Sequence, residues 1–178
     1  MTEPNSELTP IEADDHSAQL VLQNLIELYI HDLSGAFPGL ELGVDGRFGY
    51  RDLARYWSEP GRRFAFLIKE GGKVAGFALV TLGSPAAQEA NVHDIAEFFV
   101  LRGYRRTGVG RRAAELLWKQ LPGPWTVRSS EANPKALAFW SDVVAEFTKG
   151  DVTTSSWSGR TSQFRVFRFD SSNSAPKA

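Results

Sequence analysis

A single α/β domain whose sheet is mixed rather than purely parallel is the fold class this sequence predicts, on three observations. Strand-like runs rich in β-branched and aromatic residues alternate with amphipathic helical runs along the whole chain. Two pairs of strands are joined by short Gly-containing turns, the signature of antiparallel hairpins. No internal repeat or long low-complexity linker divides the 178 residues, and a chain of this length buries roughly two-thirds of its unfolded surface, enough for one core without a staple.

Each element has its own justification. The polar ends, residues 1–7 and 171–178, are expected to fray, leaving one domain over residues 8–170. A short apolar stretch from Leu8 to Ala13 reads as the first strand. Asp14 and Asp15 then cap a helix carrying Ala18, Val21, Leu22, Leu25, Tyr29 and Leu33 at helical spacing, and Gly35 and Pro38 end it. A Gly-punctuated loop leads to a second short helix from Arg51 to Ser58, closed by Pro60 and Gly61. Phe64 to Lys69 and Lys73 to Leu82 form a hairpin through Gly71-Gly72, and Val92 to Leu101 is the next strand. A helix with Ala113, Leu116, Leu117 and Gln120 on one face starts near Gly108 and stops at Pro122-Gly123-Pro124. Trp125 to Ser130 is a strand. Asn133 to about Phe147 is a helix with Pro134 in its first turn and Ala136, Phe139, Trp140, Val143 and Phe147 inward. Val152 to Trp157 and Gln163 to Phe169 close the chain as a strand pair across Ser158-Gly159-Arg160.

Composition narrows the function. The chain has no cysteine, which excludes disulfide frameworks, thiolate zinc sites, Cys nucleophiles and thiol redox chemistry. The start lacks the positive and apolar regions of a secretory signal, and no stretch reaches the ~20 apolar residues of a membrane span, so a soluble cytoplasmic protein is expected. The 20 basic and 21 acidic residues are unevenly placed. Met1 to Gly46 holds nine acids and no Lys or Arg, whereas Arg102 to Arg112 holds five Arg and no acid. A compact cluster of this kind suits a local anion site better than the broad basic face needed for nucleic acid.

That cluster contains the sharpest local signal, Arg105-Arg106-Thr107-Gly108-Val109-Gly110-Arg111-Arg112, lying between a strand and an amphipathic helix. The first amides of a helix lack internal partners and sit at the positive end of its dipole. Glycines let a ligand approach the backbone, and arginines add forked donors suited to phosphate oxygens. A pyrophosphate is the guest this pattern favours; the alternative is a solvated, Arg-rich helix start. A P-loop lysine is absent, and two glycines stand where a dinucleotide fingerprint needs three.

The strand Phe98-Phe99-Val100 followed by Arg105-x-x-Gly108-x-Gly110 at a helix start resembles the acyl-CoA binding motif of the GNAT superfamily of N-acyltransferases, Gln/Arg-x-x-Gly-x-Gly/Ala. Downstream, Asn133-x-x-Ala136-x-x-Phe139-Trp140 resembles that family's Asn-x-x-Ala-x-x-Phe-Tyr helix. The element order agrees over about Leu8 to Asp170. Phe-Trp and the aromatic-rich first half look like small bacterial members of undefined substrate. The resemblance implies a GNAT-type mixed, mostly antiparallel sheet of about six or seven strands flanked by about four helices. It also implies acetyl-CoA as cosubstrate, with no metal. The amides of Arg106, Thr107, Gly108, Val109, Gly110 and Arg111 would cradle the coenzyme pyrophosphate, with Arg105 at the motif's leading position. Phe98, Phe99 and Val100 would hydrogen-bond the pantetheine arm through their backbone, where this strand splays from the next. Asn133 would contact the arm, while Phe139 and Trp140 would flank the coenzyme or simply belong to the core.

Acetyl transfer to an amine needs a base to remove the ammonium proton. Glu97 interrupts an apolar strand, Ile95-Ala96-Glu97-Phe98-Phe99-Val100, and burial there would raise its pKa toward a useful range; the alternative is a solvated edge or an arginine pair. His93 and Asp94 are weaker candidates, and His16 and His31 read as surface residues. Many family members protonate the leaving thiolate with the Tyr of Phe-Tyr. Here that position is Trp140, whose indole cannot act as an acid, so no acid is assigned. A non-catalytic acyl-CoA binding module is the competing reading. Tyr29, Phe37, Phe48, Tyr50, Tyr56 and Trp57 would wall the acceptor site if they are not core, and the nine early carboxylates suggest a small cationic amine. Without cysteine, direct attack on the thioester is expected in place of an acyl-enzyme. The expected partners are acetyl-CoA and an amine, with neither nucleic acid nor membrane, and the edges of the final hairpin are compatible with a homodimer.

Overall fold

The computed structural model describes residues 5–159 and 162–174. In chain order its elements are β1 (Ser6–Pro10), α1 (His16–Ser34), α2 (Arg55–Ser58), β2 (Arg63–Glu70), β3 (Lys73–Leu82), β4 (His93–Val100), α3 (Val109–Gln120), β5 (Pro124–Ser130), α4 (Pro134–Thr148), β6 (Thr153–Ser158) and β7 (Gln163–Asp170), with 3-10 turns at Arg102–Tyr104 and Ser171–Ser174. Seven strands form one sheet in the order β1-β2-β3-β4-β5-β7-β6. Every neighbouring pair is antiparallel except β4 and β5, which is the mixed, mostly antiparallel sheet with four helices that the resemblance implies. Among the described residues no helix is long and apolar enough to cross a membrane.

Local chemistry sets the ends of these elements. Asp15 caps α1 by accepting from the Ala18 amide at 3.0 Å, and Asn133 caps α4 by accepting from the Ala136 amide at 3.2 Å, each satisfying a helix-start donor. Gly71 and Gly72 take φ of 56° and 75°, the primed turn whose twist matches the strands it joins.

The two sheet faces carry separate cores. Leu22, Leu25, Ile26 and Ile30 of α1, with Leu53 and Tyr56, cover Leu67, Phe77, Leu79 and Phe99. Leu117 and Trp118 of α3 and Trp140, Val143 and Val144 of α4 cover Phe66, Val80, Ile95, Trp125 and Val127. With both faces covered, Ala75–Val80 is buried without interruption, as a central strand must be. Backbones also approach closely here: a Cβ on Gly76 would lie 2.0 Å from the Phe99 carbonyl oxygen. Gly76→Ala is therefore expected to force β3 and β4 apart and destabilise the protein by about 3 kcal/mol, at or beyond the top of the usual overpacking range. Urea denaturation checks this, and an unchanged midpoint would refute it.

Three boundaries differ from expectation. The first strand begins at Ser6, inside the segment expected to fray, because Ser6 and Glu7 pair with Glu70 and Lys69. Ser6 also donates to Glu70, and Arg112 donates to both, at 2.7 Å to Ser6 and 3.0 Å to Glu70. The helix expected from Arg51 is only Arg55–Ser58. Before it, i to i+3 bonds such as Leu53 N to Tyr50 O (3.2 Å) wind a tighter turn that points Leu53 and Tyr56 into the core. The final strands end at Ser158 and Asp170. Arg160, in the hairpin between them, and residues 1–4 and 175–178 of the expected ends lie outside the described residues.

Candidate active site

An extra residue in β4 decides where its carboxylate points. The register with β3 pairs Leu79 with Glu97 but Val80 with Ile95, leaving Ala96 as a bulge. Such an insertion reverses the facing of everything after it. Ile95 and Phe98 accordingly pack on the α3 and α4 side, whereas Glu97 reaches the α1 side. There its carboxylate accepts from the hydroxyls of Tyr29 on α1 and of Tyr50 at 3.0 Å. Burial pushes the Glu97 carboxyl up, against the opposing pull of the two hydroxyls and of the Arg128 charge. Burial and the Glu97 charge push Tyr29 and Tyr50 well above the usual phenol range, so both remain neutral donors.

The same bulge opens the sheet. β4 and β5 pair only at His93–Ile95 with Trp125–Val127, so from Ala96 to Val100 the β5-facing edge of β4 has no ladder partner. Arg128, on the β5 side of this gap, makes a forked pair with fully buried Asp94, its Nη2 at 2.6 Å and its Nε at 2.9 and 3.1 Å. Ser84 and Thr126 also donate to Asp94. Its guanidinium lies 5.7 Å from the Trp157 ring centre. A cavity of about 910 Å³ opens over the gap, lined by Tyr29, Tyr50, Glu97, Phe98, Arg128, Ser129, Asn133 and Trp140 among others. The Ser129 hydroxyl, buried on this wall, has no hydrogen-bond partner among the described residues. Elsewhere on the wall most charges are paired: Arg55 and Arg63 share Glu59 at 2.6 and 2.9 Å, Asp52 lies 3.8 Å from Arg55, and Glu89 takes Arg168, while exposed Arg62 has no acidic partner among the described residues.

At the far end of the splayed strand lies the start of α3. Gly108 (φ 86°) and Arg106 (φ 62°) are both left-handed. The amides of Arg106 through Arg111 have no protein acceptor among the described residues; the Arg112 amide is the first to close onto the helix, at 3.0 Å to Gly108 O. Six consecutive unpaired amides at a helix N-terminus are a cradle for an anion. A Cβ on Gly108 would meet Arg112 Nη1 at 2.5 Å, and one on Gly110 would meet the Phe139 ring at 3.2 Å, so the left-handed turn favours glycine at 108 and the α3 to α4 contact leaves little room at 110. These features fit a coenzyme pyrophosphate.

The arginine cluster itself behaves differently from expectation. Arg102 and Arg105 both pair with Asp32, Arg111 with Glu146, and Arg112 with Glu70. Only Arg106 has no acidic partner among the described residues. Arg105 also donates to Val100 O at 2.7 Å and lies over the Phe99 ring, so it braces the strand and the loop. Four of the five arginines are tied down by tertiary carboxylates distant in sequence.

The chain matches the model of the Acetyltransferase (GNAT) family over residues 23–142. It belongs to the GNAT acetyltransferase family and is an acyltransferase. Solved structures with the same fold include an acetyltransferase from Thermus thermophilus (21% identity, 93% of this chain and 97% of that one, TM-score 0.62). A spermidine N-acetyltransferase from Vibrio cholerae, solved with CoA and spermine, is 11% identical over 96% of this chain and 98% of that one, TM-score 0.64. The ribosomal-protein-S18-alanine N-acetyltransferase of Escherichia coli is 14% identical over 93% of this chain and 94% of that one, TM-score 0.56. No curated protein matches the chain by sequence.

As a GNAT acyltransferase the chain departs from its family at α4. Trp140 lines the cavity yet is only 6% exposed, packed 5.0 Å from Phe98 and 4.9 Å from Phe139 between ring centres. It is at once core and pocket wall, and it brings no hydroxyl. Phe139 stacks on Phe98 at 6.2 Å. Asn133, which lines the cavity, spends its Oδ1 on the helix cap. Of the lesser candidates, Asp94 is locked to Arg128. His93 is wedged against Trp125 and Phe64, and burial lowers its pKa. Tyr29, Phe37 and Tyr50 line the cavity, whereas Tyr56 is core. None of the early carboxylates the structure describes lines it; Glu27 instead accepts from the Phe48 and Gly49 amides at 2.7 and 3.2 Å.

Arg128 is the residue sequence reasoning missed. The signal was the one that found Glu97, a charge interrupting an apolar strand, here Trp125-Thr126-Val127-Arg128.

Proposed function

We propose that this GNAT acyltransferase transfers an acetyl group from acetyl-CoA to a primary amine by direct attack, with Glu97 as general base. The observation that carries this reading is a buried carboxylate, held by two tyrosine hydroxyls, facing a large cavity where β4 parts from β5. The two neighbours named for their acceptors are both N-acetyltransferases, which supports an amine.

Acetyl-CoA supplies an activated acetyl thioester: the amine nitrogen forms the C–N bond, the C–S bond breaks and coenzyme A leaves as the thiol. Glu97, its pKa pushed up by burial, takes the proton that makes the ammonium nucleophilic. Tyr29 and Tyr50 fix its orientation. The nitrogen's second proton passes to sulfur through solvent, since Trp140 cannot supply one. The amides of Arg106 to Arg111 would hold the pyrophosphate, and the open edge of Phe98, Phe99 and Val100 would hold the pantetheine, with the Val100 carbonyl already engaged by Arg105. Asn133 and Ser129 line the same space, and Trp140 walls it with Phe139 packed against its ring.

The test is thiol release from acetyl-CoA across a panel of amines, with the product weighed. Amine-dependent release matched by N-acetyl product is expected, and the intact mass of the protein should not change with acetyl-CoA alone. A stable acetylated protein would overturn direct attack.

A further inference from the structure

Resting on the reading of Glu97 as the group that receives the amine, the charges of the cavity also describe the rest of the acceptor. Setting aside the pairs formed by Arg55, Arg63, Arg128 and Glu89 leaves two lining charges without an opposite partner among the described residues. They are the carboxylate of Glu97 and the guanidinium of exposed Arg62, at the rim. One negative and one positive site remain, the pattern complementary to a zwitterion.

A second observation adds hydrogen-bond donors for an anion deeper on the same wall. Arg128 turns its Nε and Nη2 edge to Asp94, but its Nη1 group has no acceptor among the described residues. Its side chain is only 16% exposed, and it is near enough to Glu97 for each to shift the other's ionisation. Asp94, with donors from Ser84 and Thr126, fixes the plane of this guanidinium, so two N–H donors are presented in a set direction at little entropic cost. A purely cationic acceptor would leave these donors without an acceptor. An acceptor bearing both a carboxylate and an amine would offer a partner to Nη1 and to Glu97.

We infer that the acceptor is an amino acid or a similar amine that also carries a carboxylate, its ammonium received by Glu97 and its carboxylate by Arg128, with Arg62 attracting it at the rim. The experiment measures kcat/KM for proteinogenic L-amino acids, each beside its carboxamide and its decarboxylated amine, using the full chain and acetyl-CoA. Losing a charge-assisted hydrogen bond corresponds to roughly tenfold or more, so a preferred amino acid should exceed both of its relatives by at least that factor. Arg128→Lys, which keeps a charge beside Asp94 while losing the fork, should raise KM for that amino acid and shrink its advantage over the carboxamide. Arg62→Ala should lower kcat/KM in a salt-dependent way. Decarboxylated amines or carboxamides turned over as well as or better than every amino acid would overturn the inference while leaving acetyl transfer standing. Binding of acetyl-CoA with no transfer to any amine would overturn both.

Discussion

Glu97→Gln should lower kcat about 10²- to 10⁴-fold, the usual contribution of a positioned general base, while leaving the protein at least as stable as the wild type. The kinetic half follows from geometry. Gln keeps the shape: its Oε1 can accept from one of the two tyrosine hydroxyls and its Nε2 can donate to the oxygen of the other, so the cavity survives while the proton acceptor is lost. In the wild type, rate should rise with pH through the elevated Glu97 pKa and then level; in the variant that acidic limb should disappear. The stability half follows from linkage. Burial raises the folded-state pKa of Glu97 above an unfolded value of roughly 4.3. Its favourable, protonated contribution is thus fully present below that value and lost as pH rises through the folded pKa. Above its folded-state pKa the wild type carries a buried charge that Gln does not, so the variant should gain stability relative to wild type there and lose that advantage as pH falls below it. Steady-state pH profiles and urea denaturation at neutral and acidic pH measure the two halves. Unchanged turnover at every pH would exclude Glu97 as the base.

Gly108→Glu is expected to abolish coenzyme binding. Coenzyme at about 100 times Kd should stabilise the wild type by about 2.7 kcal/mol, a rise in Tm of about 5–10 °C for a domain of this size. Position 108 sits in the middle of six unpaired amides at φ 86°. A side chain there meets Arg112 Nη1 at 2.5 Å from its first carbon, and a carboxylate adds repulsion where the pyrophosphate would lie. The positive φ alone costs any side chain about 1 kcal/mol or more, so Gly108→Ala serves as the comparison. Alanine should lower the Tm of the free protein yet keep a coenzyme-induced rise, whereas glutamate should lose it. A normal rise in Gly108→Glu would remove the pyrophosphate from this turn.

The arginine cluster shows how far local sequence reaches. Gly108 and Gly110 mark the anion cradle because a helix start with unpaired amides and left-handed glycine is a local event, written within a few residues. The roles of the arginines beside them are not local. Arg105 and Arg102 are claimed by Asp32, some 70 residues earlier, and Arg112 by Glu70, and no spacing rule reports such partners. The acidic first segment misleads for the same reason. Its carboxylates looked like an electrostatic field for a cation, yet Glu27 and Asp32 are spent on loop amides and arginines, and none of those described reaches the cavity.

By itself, then, the sequence determined the element order, the Gly71-Gly72 turn, the aspartate cap of α1, the glycine-containing start of α3 and the exclusion of thiol chemistry. Each depends on periodicity, backbone freedom or composition, properties of neighbouring residues. Only the tertiary structure decided what faces the cavity. A single bulged residue, Ala96, reverses the facing of Glu97 and parts β4 from β5. Tyr29, Tyr50 and Arg128 then gather around that carboxylate from an early helix, a loop and the next strand. Their meeting is a consequence of long-range register, which a chain carries only once it has folded.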